Sequence, residues 1–300
     1  MENDTETPQI RSDDFSRRFG MRAANLMWLL GAGASASAGI PTAWDMIWDF
    51  KQRLFISQRK VSPKSVADLS SPVIRQQLQA HIDSCGSLPP PGSPDEYAPL
   101  FEAVYPSEAD RRAYLDAKIA GAKPSYGHLA LATLMRAQLT RIVWTTNFDP
   151  LNADACAKIY DGTGALTTVA LDAPDLAAQV INEGRWPIEV KLHGDYRSRR
   201  LKNTNEELLH QDVRLRKVLE DSCRRFGLVV VGYSGRDDSV MDALEKALAP
   251  GAFPAGLFWL HRGENPPLAR VTQFLARAVA KGVDAALVVV EKISTRPYVI

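Results

Sequence analysis

Four short stretches of this chain hold residues able to do chemistry, and each follows an apolar run. GAGAS (31–35) follows LMWLL (26–30), TNFD (146–149) follows IVWT (142–145), HGD (193–195) follows PIEVKL (187–192), and GYSGRDD (232–238) follows LVVV (228–231). A small-residue turn after a buried strand lets backbone approach a pyrophosphate, and the helix that follows offers free N–H groups and a positive dipole end. Gly31 and Gly33 match the first two glycines of the dinucleotide pattern G-x-G-x-x-G, while the third position holds Ala36, small enough to keep a close approach. Asn147 carries an amide that can donate to a hydroxyl or position a water. His193 carries an imidazole whose ordinary pKa, near 6.5, lets it accept a proton at neutral pH. Asp149 and Asp237 carry carboxylates that can orient a hydroxyl or stabilise developing positive charge.

Each stretch also has a plain structural explanation. The glycines can serve tight strand–helix turns, Asn147 a turn, Asp149-Pro150 a helix start, and His193 a buried, hydrogen-bonded position. What joins them is placement. In open parallel sheets ligands bind outside the carboxyl ends of the strands, and all four stretches are expected there, as one site.

The elements that must position them read as alternating strands and helices. Helical spacing returns at 44–55, 124–138 (with Ser125 as a cap), 151–160, 174–184, 205–225, 239–248 and 268–281. Strands are expected at 26–30, 141–146, 165–171, 187–192, 228–231, 256–260 and 285–290, which gives six or seven parallel strands in a doubly wound, Rossmann-like α/β sheet. Residues 57–123 break this rhythm. Segments 73–82, 95–105 and 107–119 look helical, separated by turns and by the proline-rich loop SLPPPGSP (87–94), which no helix or strand can hold. They read as a mostly helical insertion and candidate lid. Residues 1–22 are polar and charged, and read as a flexible arm with a short helix near 14–19.

Composition narrows the class. The chain has 300 residues, 45% hydrophobic and 24% charged, with 36 basic against 35 acidic residues. That balance argues against a surface that coats nucleic acid, so any nucleic acid is expected to act only through a partner. No apolar run reaches the length of a membrane span and the first residues are unlike a secretory signal, so a cytoplasmic protein without membrane contact is expected. Cys85, Cys156 and Cys223 lie far apart and form no C-x-x-C pair, which points to three ordinary thiols and no zinc or other metal site.

In this order, GAGASASAGIP, TTNFD, LHGD and VVVGYSGRDD resemble the sirtuin family over about residues 26–248. The resemblance implies NAD as substrate. It implies catalytic work for Asn147, His193 and Asp149, with His193 as general base, and NAD contacts from Gly31, Ala32, Gly33, Ser35, Gly39, Pro41, Thr42, Thr146, Gly232, Tyr233, Ser234 and Asp237. Three departures stand out. The four zinc cysteines of sirtuin deacylases are missing, Ala34 and Thr42-Ala43 replace their usual residues, and Gly235-Arg236-Asp237-Asp238 replaces a hydrophobic acyl-peptide loop. With these departures the chain is similar to bacterial sirtuin-like NAD hydrolases of anti-phage defence, which occur alone, with helicases, or with short Argonaute proteins. Such an enzyme is expected to release nicotinamide and ADP-ribose, with cyclisation as a variant, and to work as a homo-oligomer or under a partner. A protein deacylase and a non-catalytic NAD-sensing module are the alternatives.

Overall fold

The computed structural model describes residues 7–93, 96–170, 173–193, 205–262 and 266–290. In chain order its elements begin with β1 (Gln9–Arg11), α1 (Ser12–Arg22), β2 (Leu26–Leu30), α2 (Ala32–Ser35), α3 (Ala43–Arg59), α4 (Pro72–Cys85), α5 (Tyr97–Val104) and α6 (Glu108–Ile119). There follow α7 (Tyr126–Arg136), β3 (Ile142–Thr145), α8 (Leu151–Tyr160), β4 (Thr167–Val169), α9 (Pro174–Glu183), β5 (Ile188–Lys191), α10 (Asn205–Cys223) and β6 (Gly227–Val231). The last are α11 (Asp238–Ala247), β7 (Leu257–His261), α12 (Ala269–Ala280) and β8 (Ala285–Val289). The chain divides into two compact units, Met1–Ala34 with Lys123–Ile300, and Ser35–Ala122.

The first unit is built on one sheet. Among the described residues it has eight strands in the order β1-β8-β7-β6-β2-β3-β5-β4, every pairing parallel. Strands buried on both faces need apolar residues at every position, and β2, β3 and β6 read that way in sequence. Alternate side chains then separate into two cores. Met27, Leu29, Trp144, Val190 and Val230 pack beneath α9, α10, α11 and α12. Leu30 and Val143 pack with Leu131 and Met135 of α7 and with Ala155 and Cys156 of α8. Leu26, Val229 and Phe258 pack with Phe15 and Phe19 of α1. Helices on both faces make the sheet doubly wound. Each large apolar side chain buried in these layers contributes about 1.5–3 kcal/mol.

Residues 9–22 are more ordered than the sequence suggested. They form edge strand β1, paired in register Gln9↔Leu287, and helix α1. The expectation of a flexible arm missed a two-ring stripe inside a charged helix. Phe15 and Phe19 lie four residues apart, so they share a helix face. Their rings sit 5.5 Å from Phe258 and 5.7 Å from Trp28 respectively. Arg18 and Arg22 both pair with Asp284, at 2.5 and 2.6 Å. Residues 1–6 of that arm lie outside the described residues.

The second unit, Ser35–Ala122, is helical and takes in α3 as well as the insertion expected at about 57–123. The reason is aromatic. Phe50 of α3 stacks on Phe101 of α5 at 4.7 Å and lies 5.3 Å from Tyr114 of α6, so α3 shares a core with the insertion's helices. Lys51, almost fully buried, pairs with the equally buried Glu96, which also accepts from Gly92 N at 2.6 Å and so ties down the proline-rich loop. Residues 94 and 95 lie outside the described residues.

Candidate active site at the strand ends

The order of the sheet reverses at β2. Its neighbours are β3 on one side and β6 on the other, so the carboxyl end of β2 is the topological switch point where an open α/β sheet leaves a crevice. Three of the four chemically capable stretches leave β2, β3 and β6, and the fourth leaves β5, beside β3.

The β2 and β6 loops are packed backbone to backbone. Gly31 N donates to Val231 O at 3.0 Å, Gly33 N to Gly232 O at 2.8 Å, and Ala34 N to Gly31 O at 2.9 Å. A Cβ on Gly31 would lie 2.5 Å from Tyr233 Cα and 2.6 Å from Gly232 O. Gly232 holds φ at +66°, with Ala34 N and the Gly33 backbone against it. The glycines therefore have a cause inside the protein: two loops meet here at a distance no side chain permits. The three amides named already donate within the protein.

The β3 loop is tied to the β2 loop. Thr146 N donates to Leu30 O at 3.0 Å, and the Asn147 side-chain Nδ2 donates to Gly31 O at 3.0 Å. Asn147 is half-buried. Asp149 is buried, and its Oδ1 accepts from Leu151 N at 3.1 Å at the start of α8. Sequence placed Asp149 among the catalytic carboxylates; its position here is that of a turn and helix-start residue. Burial lowers the pKa of nearby His128 on α7, and the charge of Asp149 acts in the opposite direction.

Asp237 is the carboxylate that meets the histidine. His193 Nε2 lies 2.6 Å from Asp237 Oδ2. The other oxygen, Oδ1, caps α11 by accepting from Ser239 N at 2.8 Å and Val240 N at 3.2 Å. Burial pushes the Asp237 carboxyl upward. The hydrogen bond and charge of His193, with the cap donors, outweigh that and hold it well below the usual carboxylate range. Tyr233, buried against the Gly31 loop, donates from its hydroxyl to Asp237 O at 3.2 Å. The Phe148 ring lies 6.3 Å from the His193 ring. A run of contacts thus joins Asn147, Gly31, Tyr233, Asp237, His193 and Phe148 around one edge of the sheet. Ser234 is exposed on the same β6 loop, and Ala32 is half-buried on the β2 loop. Gly194 and Asp195, the rest of the third motif, lie outside the described residues.

Four residues expected to bind cofactor belong to the second unit. Ser35 is buried. Gly39 follows a 3₁₀ turn (Ala36–Ala38) with φ at +85°, and Pro41 is half-buried. Thr42 caps α3 in a capping box: its Oγ1 accepts from Asp45 N at 3.3 Å, and its own N donates to Asp45 Oδ2 at 2.9 Å. The Thr42–Asp45 spacing is that of a capping box, a role the sequence reading of Thr42 as an NAD contact passed over.

A residue that sequence reasoning passed over is Lys191, the last of β5. It is 1% exposed and donates to Asp149 O at 2.7 Å and Phe148 O at 3.2 Å. Its signal was visible: Glu189 and Lys191 are two charged residues in a four-residue strand whose every position is buried, two residues before a histidine. The thiols are quiet. Burial pushes Cys156 up to about 12 and raises Cys223 as well. Among the described residues no group of three or more His, Cys, Asp or Glu could hold a metal ion, and no helix is long and apolar enough to cross a membrane.

The chemistry of these donors fits a ribose. An amide at Asn147 suits a hydroxyl or a water, and an imidazole held through Nε2 by a carboxylate keeps Nδ1 as the proton-accepting nitrogen of the neutral ring.

Residues 141–283 match a family model described as a SIR2-like domain, which supports a sirtuin-like family for that stretch. The matched stretch contains Asn147, His193 and Asp237. Among solved structures, a Sir2 homologue in complex with NAD is similar at 16% identity, covering 94% of this chain and 91% of its own, with a TM-score of 0.46. A structure solved to explain the mechanism and regulation of Sir2 enzymes is similar at 15% identity, covering 91% and 97%, with a TM-score of 0.39. No curated protein sequence matches.

Proposed function

We propose that this chain is an NAD hydrolase that cleaves the bond between nicotinamide and ribose. The observation that carries the reading is the His193–Asp237 pair, 2.6 Å apart, on the same sheet edge as an Asn147 side chain bonded to Gly31 O. The bond breaks through a transition state with positive charge on the ribose, and a water then adds. Asn147 orients the water or a ribose hydroxyl. His193, held through Nε2, accepts the proton at Nδ1. Asp237 stays ionised, holds the imidazole and stabilises the imidazolium that forms, as a carboxylate does behind a catalytic histidine. Asp149 supports the turn that carries Asn147.

The proposal extends to regulation. An unrestrained enzyme of this kind would drain a cofactor its own cell needs, so its activity is gated by oligomerisation or by a partner, of which an Argonaute-like or helicase protein is the resemblance's suggestion. NAD depletion in anti-phage defence is the corresponding role.

The test is to incubate purified protein, over a range of concentrations and with candidate activating partners, with NAD and an acetylated peptide and to follow nicotinamide, the peptide and bound NAD together. Nicotinamide release without peptide turnover supports the hydrolase. Peptide deacetylation coupled to nicotinamide release replaces it with a deacylase, and binding without release replaces it with a sensing module.

A further inference from the structure

Strand β5 and the residues just after it bring Lys191 and His193 to the strand ends, and the proposed reaction uses only His193. We propose that Lys191 is a positioning residue: its ammonium clamps the turn that carries Asn147. The inference rests on the NAD-hydrolase reading and extends it to a residue outside the substrate's reach.

The geometry is a two-sided grip. Lys191 and Thr145 are partners in the β3–β5 register. Thr145 Oγ1 accepts from Asn147 N at 3.0 Å and lies 3.3 Å from Leu30 O. Lys191 Nζ takes the two carbonyls that follow, Phe148 O at 3.2 Å and Asp149 O at 2.7 Å. Three peptide groups of the turn, those of Asn147 N, Phe148 O and Asp149 O, are thus fixed from β5 and from within β3. The Asn147 side chain is then aimed at Gly31 O.

Stability alone gives little reason for a lysine here. Removing an ammonium from water costs several kcal/mol unless it is well held, and Lys191 is 1% exposed. Its ammonium also sits on the carbonyls just before α8, near the positive end of that helix's dipole, where a cation is disfavoured. An apolar residue of similar volume would fill the same space without either cost, though it would remove the donor of the Phe148 and Asp149 carbonyls. What the ammonium adds is direction: short, charge-assisted bonds to two carbonyls at once. A turn so held keeps its amide within the small tolerance that catalysis requires, where a displacement of about 1 Å can cost about 10²-fold in rate.

The experiment compares wild type with Lys191→Met, Lys191→Gln and Lys191→Arg, by steady-state NAD cleavage, thermal melting, and hydrogen exchange of the backbone amides at 146–150. Lys191→Met is expected to stay folded, to lose about 10–10²-fold in kcat with a much smaller change in KM, and to exchange faster at 146–150. Lys191→Arg, which keeps the charge, is expected to recover part of kcat and of the protection. Should the methionine variant fail to fold, the glutamine and arginine pair carries the same comparison. A folded charge-free variant with wild-type kcat and unchanged exchange overturns the proposal, as does a loss of kcat that the arginine variant does not relieve at all. If wild type cleaves no NAD at any protein concentration or with candidate partners, the hydrolase reading fails, and the exchange measurement still decides whether Lys191 holds the turn.

Discussion

One carboxylate, Asp237, serves two masters: Oδ2 meets His193 Nε2 at 2.6 Å, while Oδ1 accepts the first amides of α11. The residue that orients the imidazole is thereby fixed to the rigid end of a helix. Asp237→Asn is expected to keep the fold, since asparagine caps a helix about as well as aspartate, and to reduce NAD cleavage by about 10²-fold or more, since the amide can present the wrong partner to the ring. His193→Ala should cost about 10²–10⁴-fold with little change in melting temperature. A folded Asp237→Asn variant with full activity would remove the pair from the mechanism.

Asn147→Ala is expected to abolish NAD loss while the protein remains folded. The side chain's hydrogen bond to Gly31 O is worth about 0.5–1.5 kcal/mol. Melting curves and nicotinamide release on the same preparation separate the two effects, and near-normal turnover by the folded variant contradicts the assignment.

The glycine contacts predict a structural phenotype. Gly232→Ala combines a left-handed backbone with a Cβ driven into the Gly33–Ala34 backbone. It should cost about 2–4 kcal/mol, from the unfavourable φ and the overpacking together. Denaturant melts will show it; a loss of NAD affinity at unchanged stability would instead assign these glycines to the ligand.

Acid should weaken the fold in two stages. Burial lowers the pKa of His128, and burial and Arg59 lower that of His81. The unfolded chain therefore takes up these protons first, and their contribution is complete above about pH 6.5 and lost as the pH falls through the lowered folded values. The contribution of Asp237 persists above about pH 3.9 and is lost as the pH falls through its own lowered folded value. Stability measured against pH should thus begin to fall below about 6.5, and His81→Gln with His128→Gln should flatten that first stage. A profile that is level down to pH 5 in wild type contradicts it.

The sheet was legible because buried parallel strands have a distinct spelling. Residues 26–30 and 228–231 are unbroken apolar runs, and β2 and β6 formed there, pairing as neighbours. Helix α8 was legible to the residue. Edge strand β1 was not, because an edge strand needs little apolar sequence, and Gln9 and Arg11 read as a polar arm. Placement at the strand ends was legible for Asn147, His193, Gly232 and Asp237. Partnership was not: which of Asp149 and Asp237 faces His193 depends on loop paths that residue spacing does not encode. Nor does spacing tell a glycine that admits a ligand from one that admits another loop, as Gly31 and Gly232 do here.

The most direct test of the central claim is the fate of the ribose when the protein acts on NAD in water enriched in heavy oxygen. Protein over a range of concentrations, alone and with candidate partners, would be incubated with NAD and no peptide, and the products identified by mass. The account predicts nicotinamide and ADP-ribose in equal amounts, the ADP-ribose carrying solvent oxygen, at a rate per subunit that rises with assembly and is lost in Asn147→Ala. No nicotinamide under any of these conditions, or cleavage that proceeds equally in Asn147→Ala, would contradict it.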